Sequence, residues 1–231
     1  MQNNEVRFEI IHMPPENTNS VLVARGTDAV IFDAWGRADD WEKLLDGRGL
    51  KLRAIYATHG HSDHISAAPD LATHYDILWY MNHRDLGLIT WGNMLLKFFD
   101  MPQIPDDFKQ PMDLVDGTYE ILAGVKMIAT SAPGHSAGGM VFYFPDFGVF
   151  LAGDTLFRDG CGRCDFPTGD EHALRDTIEK IKNMNLPDET YVVHGHGIDS
   201  TIEILKKSNP YFGGCGHHCC CHHCGGDCGC K

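Results

Sequence analysis

Cysteine is scarce where a disulfide-stapled fold would need it: of nine cysteines in 231 residues, only Cys161 and Cys164 precede Cys215. A secreted disulfide scaffold spreads its cysteines through the fold, so that class is excluded. A chain of this length buries a core without such staples. Basic residues are also few, 19 Lys and Arg against 32 Asp and Glu, and the densest basic stretch is Lys206-Lys207. The resulting net charge of −13 repels polyanions, so no nucleic-acid partner is expected. No apolar run reaches spanning length, and the opening MQNNEVRFEI has no basic region followed by an apolar one. Neither a membrane span nor a signal peptide is expected, and the expected location is the cytoplasm. What is present, 43% hydrophobic and 22% charged residues, is the composition of an ordinary globular protein.

Short runs rich in Val, Ile and Phe predict strands over Val6–Met13, Ser20–Arg25 and Ala29–Ala34, broken by Pro14-Pro15, Asn17–Asn19 and Gly26. Helical spacing at Asp39–Leu45 precedes a strand, Leu50–Thr58, that runs straight into a His/Asp cluster. A helix over Ser66–His74 and a strand over Ile77–Met81 follow. Two helices, around Arg84–Ile89 and Asn93–Phe99, and a Pro/Asp-rich loop through Pro102, Pro105 and Pro111 read as a lid or insertion. Within it Trp91, Leu95, Phe98 and Phe99 have the helical spacing of core or lid packing. Further strands are predicted at Thr118–Leu122, Val125–Ser131, Met140–Phe144, Gly148–Ala152 and Thr190–Val193, with helices at Glu171–Met184 and Thr201–Lys207. Two β-rich halves, each ending in helices, predict a layered α/β fold with an internal pair of sheets.

The stretch Thr58-His59-Gly60-His61-Ser62-Asp63-His64 puts three imidazoles and a carboxylate at the end of a strand. Borderline divalent metals such as zinc take these N and O ligands. In an extended turn residues two apart project to one side, so His59 and His61 can share one ion while Asp63 and His64 point to a neighbouring position. Three later segments end strands beside glycines: Pro133-Gly134-His135-Ser136, Gly153-Asp154-Thr155 and His194-Gly195-His196-Gly197. Asp33 and Thr58 are candidates to fix the imidazole tautomers.

In this order the elements H-x-H-x-D-H, G-H-S, G-D-T and G-H-G resemble those of the metallo-β-lactamase fold superfamily, from about Val6 to Phe212. The resemblance implies one domain over 1–212 with an αββα sandwich, two facing mixed β-sheets with helices on the outer faces. It also implies two divalent metal ions, zinc or else iron or manganese. His59, His61 and His135 would hold the first, Asp63, His64 and His196 the second, with Asp154 between them and His194 outside the ligand set. Asp154 points to the lactonase-like branch and to the short glyoxalase II-like branch. The run Phe157–Asp170 resembles the G-R-x-D loop of that branch and of persulfide dioxygenases. The implied activity is hydrolysis of a small-molecule thioester or ester by a metal-bridging hydroxide that Asp63, the catalytic residue, orients. Typical glyoxalase II enzymes add a C-terminal helical domain with glutathione contacts; here about fifteen ordinary residues follow Gly197.

Two alternatives stand beside this. One is a persulfide dioxygenase with a single ferrous ion held by His59, His135 and Asp154. The other is a metal-binding or sensing protein that acts through residues 213–231, where seven cysteines and four histidines crowd together without aliphatic residues. That composition suits zinc, copper(I) or nickel and does not build a core. Cys161 and Cys164 are expected to serve the loop structurally or to lie near substrate. Arg163 is expected either to anchor an anionic substrate or to pair with Asp165.

Overall fold

The computed structural model describes residues 5–14 and 18–213. Among these, two six-stranded sheets face each other. The first contains β1 (Val6–His12), β2 (Asn19–Arg25), β3 (Asp28–Phe32), β4 (Lys51–Tyr56), β5 (Leu78–Met81) and β6 (Met112–Asp113), in that spatial order. The second begins with β7 (Gly117–Leu122), β8 (Val125–Ser131), β9 (Met140–Phe144) and β10 (Val149–Gly153). A ribbon of β11 (Leu156–Phe157) and β12 (Gly160–Cys161) intervenes before β13 (Tyr191–His194) and β14 (Ser200–Thr201) complete the second sheet, in the order β14-β13-β10-β9-β8-β7. Each sheet mixes hairpins with parallel pairs, β3 with β4 and β10 with β13 among them.

The runs SVLVA and AVIF are apolar at successive positions because both faces of each sheet are covered, and side chains alternate between them. Val21, Val23, Val30 and Phe32 point into the space between the sheets and meet Met127, Phe142, Phe144 and Leu151. Leu22, Ala24, Ala29 and Ile31 point the other way, where the helices α1 (Ala38–Gly47), α3 (Ala68–His74) and α4 (Leu86–Phe98) bury Trp41, Leu71 and Leu96. On the opposite outer face Phe150 and Val192 pack against Leu174, Ile178 and Ile181 of α5 (Glu171–Asn183) and Leu205 of α6 (Ile202–Ser208). The layers are therefore helix, sheet, sheet, helix, as the sequence predicts. Asp170 starts α5 by accepting from His172 N and Ala173 N at 2.8 and 3.0 Å, satisfying two free amides of its first turn.

The middle of the chain departs from expectation. The two helices predicted at Arg84–Ile89 and Asn93–Phe99 are one helix, α4, preceded by a 3-10 turn over His83–Asp85. Gly92 is no break. A Cβ there would sit 2.9 Å from Cβ of Ser62, so the glycine lets α4 approach the one-turn helix α2 (Ser62–Ile65). Phe98 and Phe99, expected in core or lid packing, are 81% and 38% exposed at the end of α4. The short strands β6, β11, β12 and β14 carry no two-residue period long enough to announce them. Apart from Gly213, the Cys/His-rich 213–231 segment lies outside the described residues.

Candidate metal centre

Five strand ends deliver the polar groups to one end of the sheet pair. β4 runs into Thr58–His64, β8 leads to His135, β10 to Asp154, β13 to His196, and Asp33 follows β3. The structure brings all seven expected ligands together. His59, His61 and His135 form one group whose ligand atoms lie within 4.8 Å of one another, and Asp63, His64 and His196 form another. Asp154 lies between them, with Oδ1 3.4 Å from His64 Nε2 and Oδ2 3.5 Å from His135 Nε2 and 3.6 Å from His196 Nε2. His194 stands apart, bonded through Nδ1 to Leu156 O at 2.6 Å and through Nε2 to Ser200 Oγ at 2.8 Å.

The residues fit a cation. His59 Nε2, His61 Nε2, His64 Nε2 and Asp154 Oδ1 are buried without a hydrogen-bond partner, which native interiors tolerate only for a reason. Carbonyls and donating hydroxyls fix the tautomers. Arg163 O can only accept, so His135 Nδ1, 2.7 Å away, carries the proton and Nε2 is left as a lone pair. Thr58 Oγ1 spends its hydrogen on Asp33 Oδ2 at 2.8 Å and so accepts from His59 Nδ1 at 3.0 Å. Asp33, in a left-handed conformation at φ 54°, also accepts from Thr58 N at 2.7 Å and lies 3.0 Å from His64 Nδ1. Both tautomer-fixing candidates from the sequence thus touch the ligands.

Electrostatics agree. Burial, reinforced by the neighbouring imidazoles, holds His59 well below the usual histidine range, and burial with His135 beside it lowers His61 to about 4. These rings are neutral and free to ligate. Burial pushes Asp63 and Asp154 up, but the imidazoles of His64 and His196 outweigh it and keep both carboxyls below the ordinary value. Burial likewise opposes the charge on His64, yet Asp33, Asp154 and Asp63 raise it well above the usual range.

Two contributors carry no motif. Asp85, fully buried ahead of α4, accepts from Gly60 N at 2.9 Å, Ser136 Oγ at 2.7 Å and Gly138 N at 2.6 Å, tying the His59–His64 and His135 loops together. Asn19 donates its side-chain amide to His194 O at 2.9 Å and Gly197 O at 3.0 Å, and its backbone N–H to Gly195 O at 2.7 Å. The glycines have spatial reasons: a Cβ on Gly195 would fall 2.0 Å from Asp154 Oδ1, and one on Gly162 2.9 Å from His135 Nδ1.

A cleft of about 400 Å³ opens over the centre, lined by His61, Asp63, Trp91, Leu95, His135, Asp154, Phe157, Cys161, Arg163, Phe166 and His196. Trp91 and Phe166 meet at 5.1 Å, and the Arg163 guanidinium lies 4.1 Å from the Phe166 ring centroid while pairing with Asp165 at 2.6 Å. A second opening of about 590 Å³ continues past His196 and Phe157 to Arg158 and Ile198. These volumes suit a small molecule.

Buried His/Asp clusters at the strand ends of an αββα sandwich define a metal-dependent hydrolase scaffold. The chain belongs to the metallo-beta-lactamase superfamily, whose sequence profile matches residues 13–196. It is 32% identical over 186 residues to hydroxyacylglutathione hydrolase GloC of Haemophilus influenzae, covering 80% of this chain and 87% of that one. Among solved structures it is similar to BLEG-1 B3 metallo-beta-lactamase, with a TM-score of 0.79 at 27% identity over 89% of this chain and 99% of that one. It is similar also to TTHA1623 in a di-iron-bound form, with a TM-score of 0.77 at 30% identity over 88% and 99%. No described helix is long and apolar enough to cross a membrane.

Proposed function

We propose that the protein hydrolyses a small-molecule thioester with two divalent cations, zinc in the first instance, held by His59, His61 and His135 and by Asp63, His64 and His196, with Asp154 shared. The observation that carries this reading is the convergence of seven ligand-type side chains with buried, unpartnered ring nitrogens and a carboxylate facing both groups. Likeness to GloC supports the thioester class. Two divalent cations held there would supply hydroxide at neutral pH, since bound water has its pKa lowered to about 7, and Lewis acidity toward a carbonyl oxygen.

The protein's own side chains do the rest. Asp63, with Oδ2 3.1 Å from His196 Nε2 and its carboxyl held below the ordinary value, stays ionised and orients the attacking oxygen by accepting a hydrogen bond from it. Trp91, Leu95 and Phe166 wall the cleft and exclude water from the acyl group. Arg163 takes the second of its two expected roles, pairing with Asp165 while stacking on Phe166, and so braces the wall of the cleft. A panel of acyl thioesters assayed on one metal-analysed sample tests the reading. Thioester cleavage that tracks two metal ions per chain is expected. One iron per chain, with oxygen uptake on a persulfide and no thioester cleavage, overturns it in favour of the dioxygenase.

A further inference from the structure

The helix α4 carries more apolar surface than the core takes up. Leu88, Ile89, Gly92 and Leu96 are buried on one side of it. Trp91, Met94, Leu95 and Phe98, spaced i, i+3, i+4 and i+7, form a second apolar stripe beside them. Trp91 and Leu95 are half-buried in the wall of the cleft, while Met94 and Phe98 are 63% and 81% exposed. Scattered exposed apolar residues are ordinary, whereas a continuous row running out of a cleft marks a surface that binds something. We infer that this stripe holds the acyl chain of the substrate, an unbranched apolar chain of medium length that extends from the His/Asp centre along α4 to Phe98. The assignment to a substrate rests on the thioester reading; the affinity for an alkyl chain does not.

Continuity with the centre carries the inference. The Trp91 ring lies 5.9 Å from that of the candidate ligand His61 and 5.1 Å from that of Phe166, which itself lies 5.7 Å from His61. The row therefore begins beside the candidate ligands, where the carbonyl of a thioester must sit. From there Trp91 to Phe98 covers about 10 Å of helix. A short acyl group ends beside Trp91 and leaves Met94 and Phe98 in water, whereas a longer one covers them and releases water from both apolar surfaces.

The chain that follows α4 is tied away from the stripe. Asn93, on the far side of the helix from Trp91, donates its side-chain amide to Ile104 O at 2.8 Å and accepts from Ile104 N at 2.9 Å. Ile104 and Met101 are buried in the core there, so the loop packs behind the helix and the row stays open. The net charge of −13 disfavours an anionic membrane surface as the occupant.

The test is calorimetric titration of straight-chain carboxylates, the acids that thioester hydrolysis releases, into the metal-loaded full-length protein. The series runs from butanoate to decanoate, below the concentrations at which they form micelles. A fully buried methylene gains about fourfold in affinity, so partial cover along an open stripe is expected to give at least about 30-fold across the series. In the double variant Met94→Ser, Phe98→Ser that gain is expected to shrink at least about tenfold. Both side chains are exposed, so its melting temperature should match that of the wild type. An affinity that does not rise with chain length overturns the inference with no substitution needed, and a rise that the variant keeps in full overturns the stripe as its cause. A variant whose only change is lost binding to phosphatidylcholine vesicles, or lost self-association in sedimentation, also overturns it and gives the face to a membrane or to a second copy of the chain. Butanoyl to decanoyl thioesters of N-acetylcysteamine separate this inference from the hydrolase reading, since kcat/KM is expected to rise in parallel with affinity. Graded carboxylate binding without thioester cleavage overturns the thioester reading and leaves the stripe as an alkyl-chain site. Cleavage indifferent to chain length overturns the stripe alone.

Discussion

A histidine ring ligates only through a nitrogen free of a proton, and here neighbouring oxygens decide which nitrogen that is. Arg163 O holds the proton of His135 on Nδ1, and the Thr58 hydroxyl, already committed to Asp33, does the same for His59. Such partners are worth as much attention as the ligands, because their loss weakens metal binding by about 10- to 100-fold. Asp85 acts one step further out, through the loops rather than the rings. Asp85→Ala leaves two buried amides and the Ser136 hydroxyl without an acceptor. It is expected to cost about 3 kcal/mol of stability in urea unfolding of the metal-free protein. Metal affinity, measured by chelator competition, should fall with it although Asp85 touches no candidate ligand atom. An unchanged unfolding midpoint would remove Asp85 from the positioning role.

At the scale of elements, glycine sets how closely strand ends approach the centre. Gly195→Ala places a methyl group against Asp154 Oδ1 and the His64 ring. A loss of activity of at least about 100-fold is expected, with fewer metal ions per chain by elemental analysis and an unchanged far-UV spectrum. Such glycines were legible in the sequence because they sit beside His or Asp within a few residues, as were the strands, whose runs of Val, Ile and Phe are local. Asp85 and Asn19 were not, since each acts on residues far away in the chain and neither belongs to a periodic or clustered pattern. Nor was the Arg163 contribution to His135, which is a backbone carbonyl that any residue would supply. The spatial meaning of Gly92, a close contact between α4 and Ser62, is likewise invisible locally.

Another element-scale tie is open to pH. Asp116, ahead of β7, accepts from Ser131 N at 2.5 Å and from the Ser131 hydroxyl at the end of β8, and lies 3.7 Å from Lys180 of α5. Burial pushes its carboxyl up, but the Ser131 bonds and Lys180 outweigh it and hold it below the ordinary value. A lowered carboxyl adds stability above its unfolded pKa of about 4 and loses it as pH falls through the folded value. The difference in unfolding midpoint between wild type and Asp116→Asn is therefore expected at pH 7 and should close as pH drops below about 4. A difference that persists or widens in acid would show that charge is not what the tie depends on.

For the whole molecule, a buried cluster of imidazoles and carboxylates makes the fold depend on what it binds. Metal at about a thousand times its dissociation constant adds about 4 kcal/mol per site. For a chain of this size, that corresponds to roughly 10 °C in melting temperature. Chelation should lower the melting temperature by at least that amount, and restored metal should return it. A melting temperature indifferent to chelator would contradict the proposed centre. The Asn19 contacts give this dependence an order in time. Asn19 reaches the His194 and Gly197 carbonyls across 175 and 178 residues of sequence. A nascent chain thus holds its first four candidate ligands, His59, His61, Asp63 and His64, long before the strand that delivers His196 has been made. Until Gly197 leaves the ribosome, the Asn19 amide does not have both carbonyls it bonds, so capture of the full metal complement waits for the strand that delivers His196.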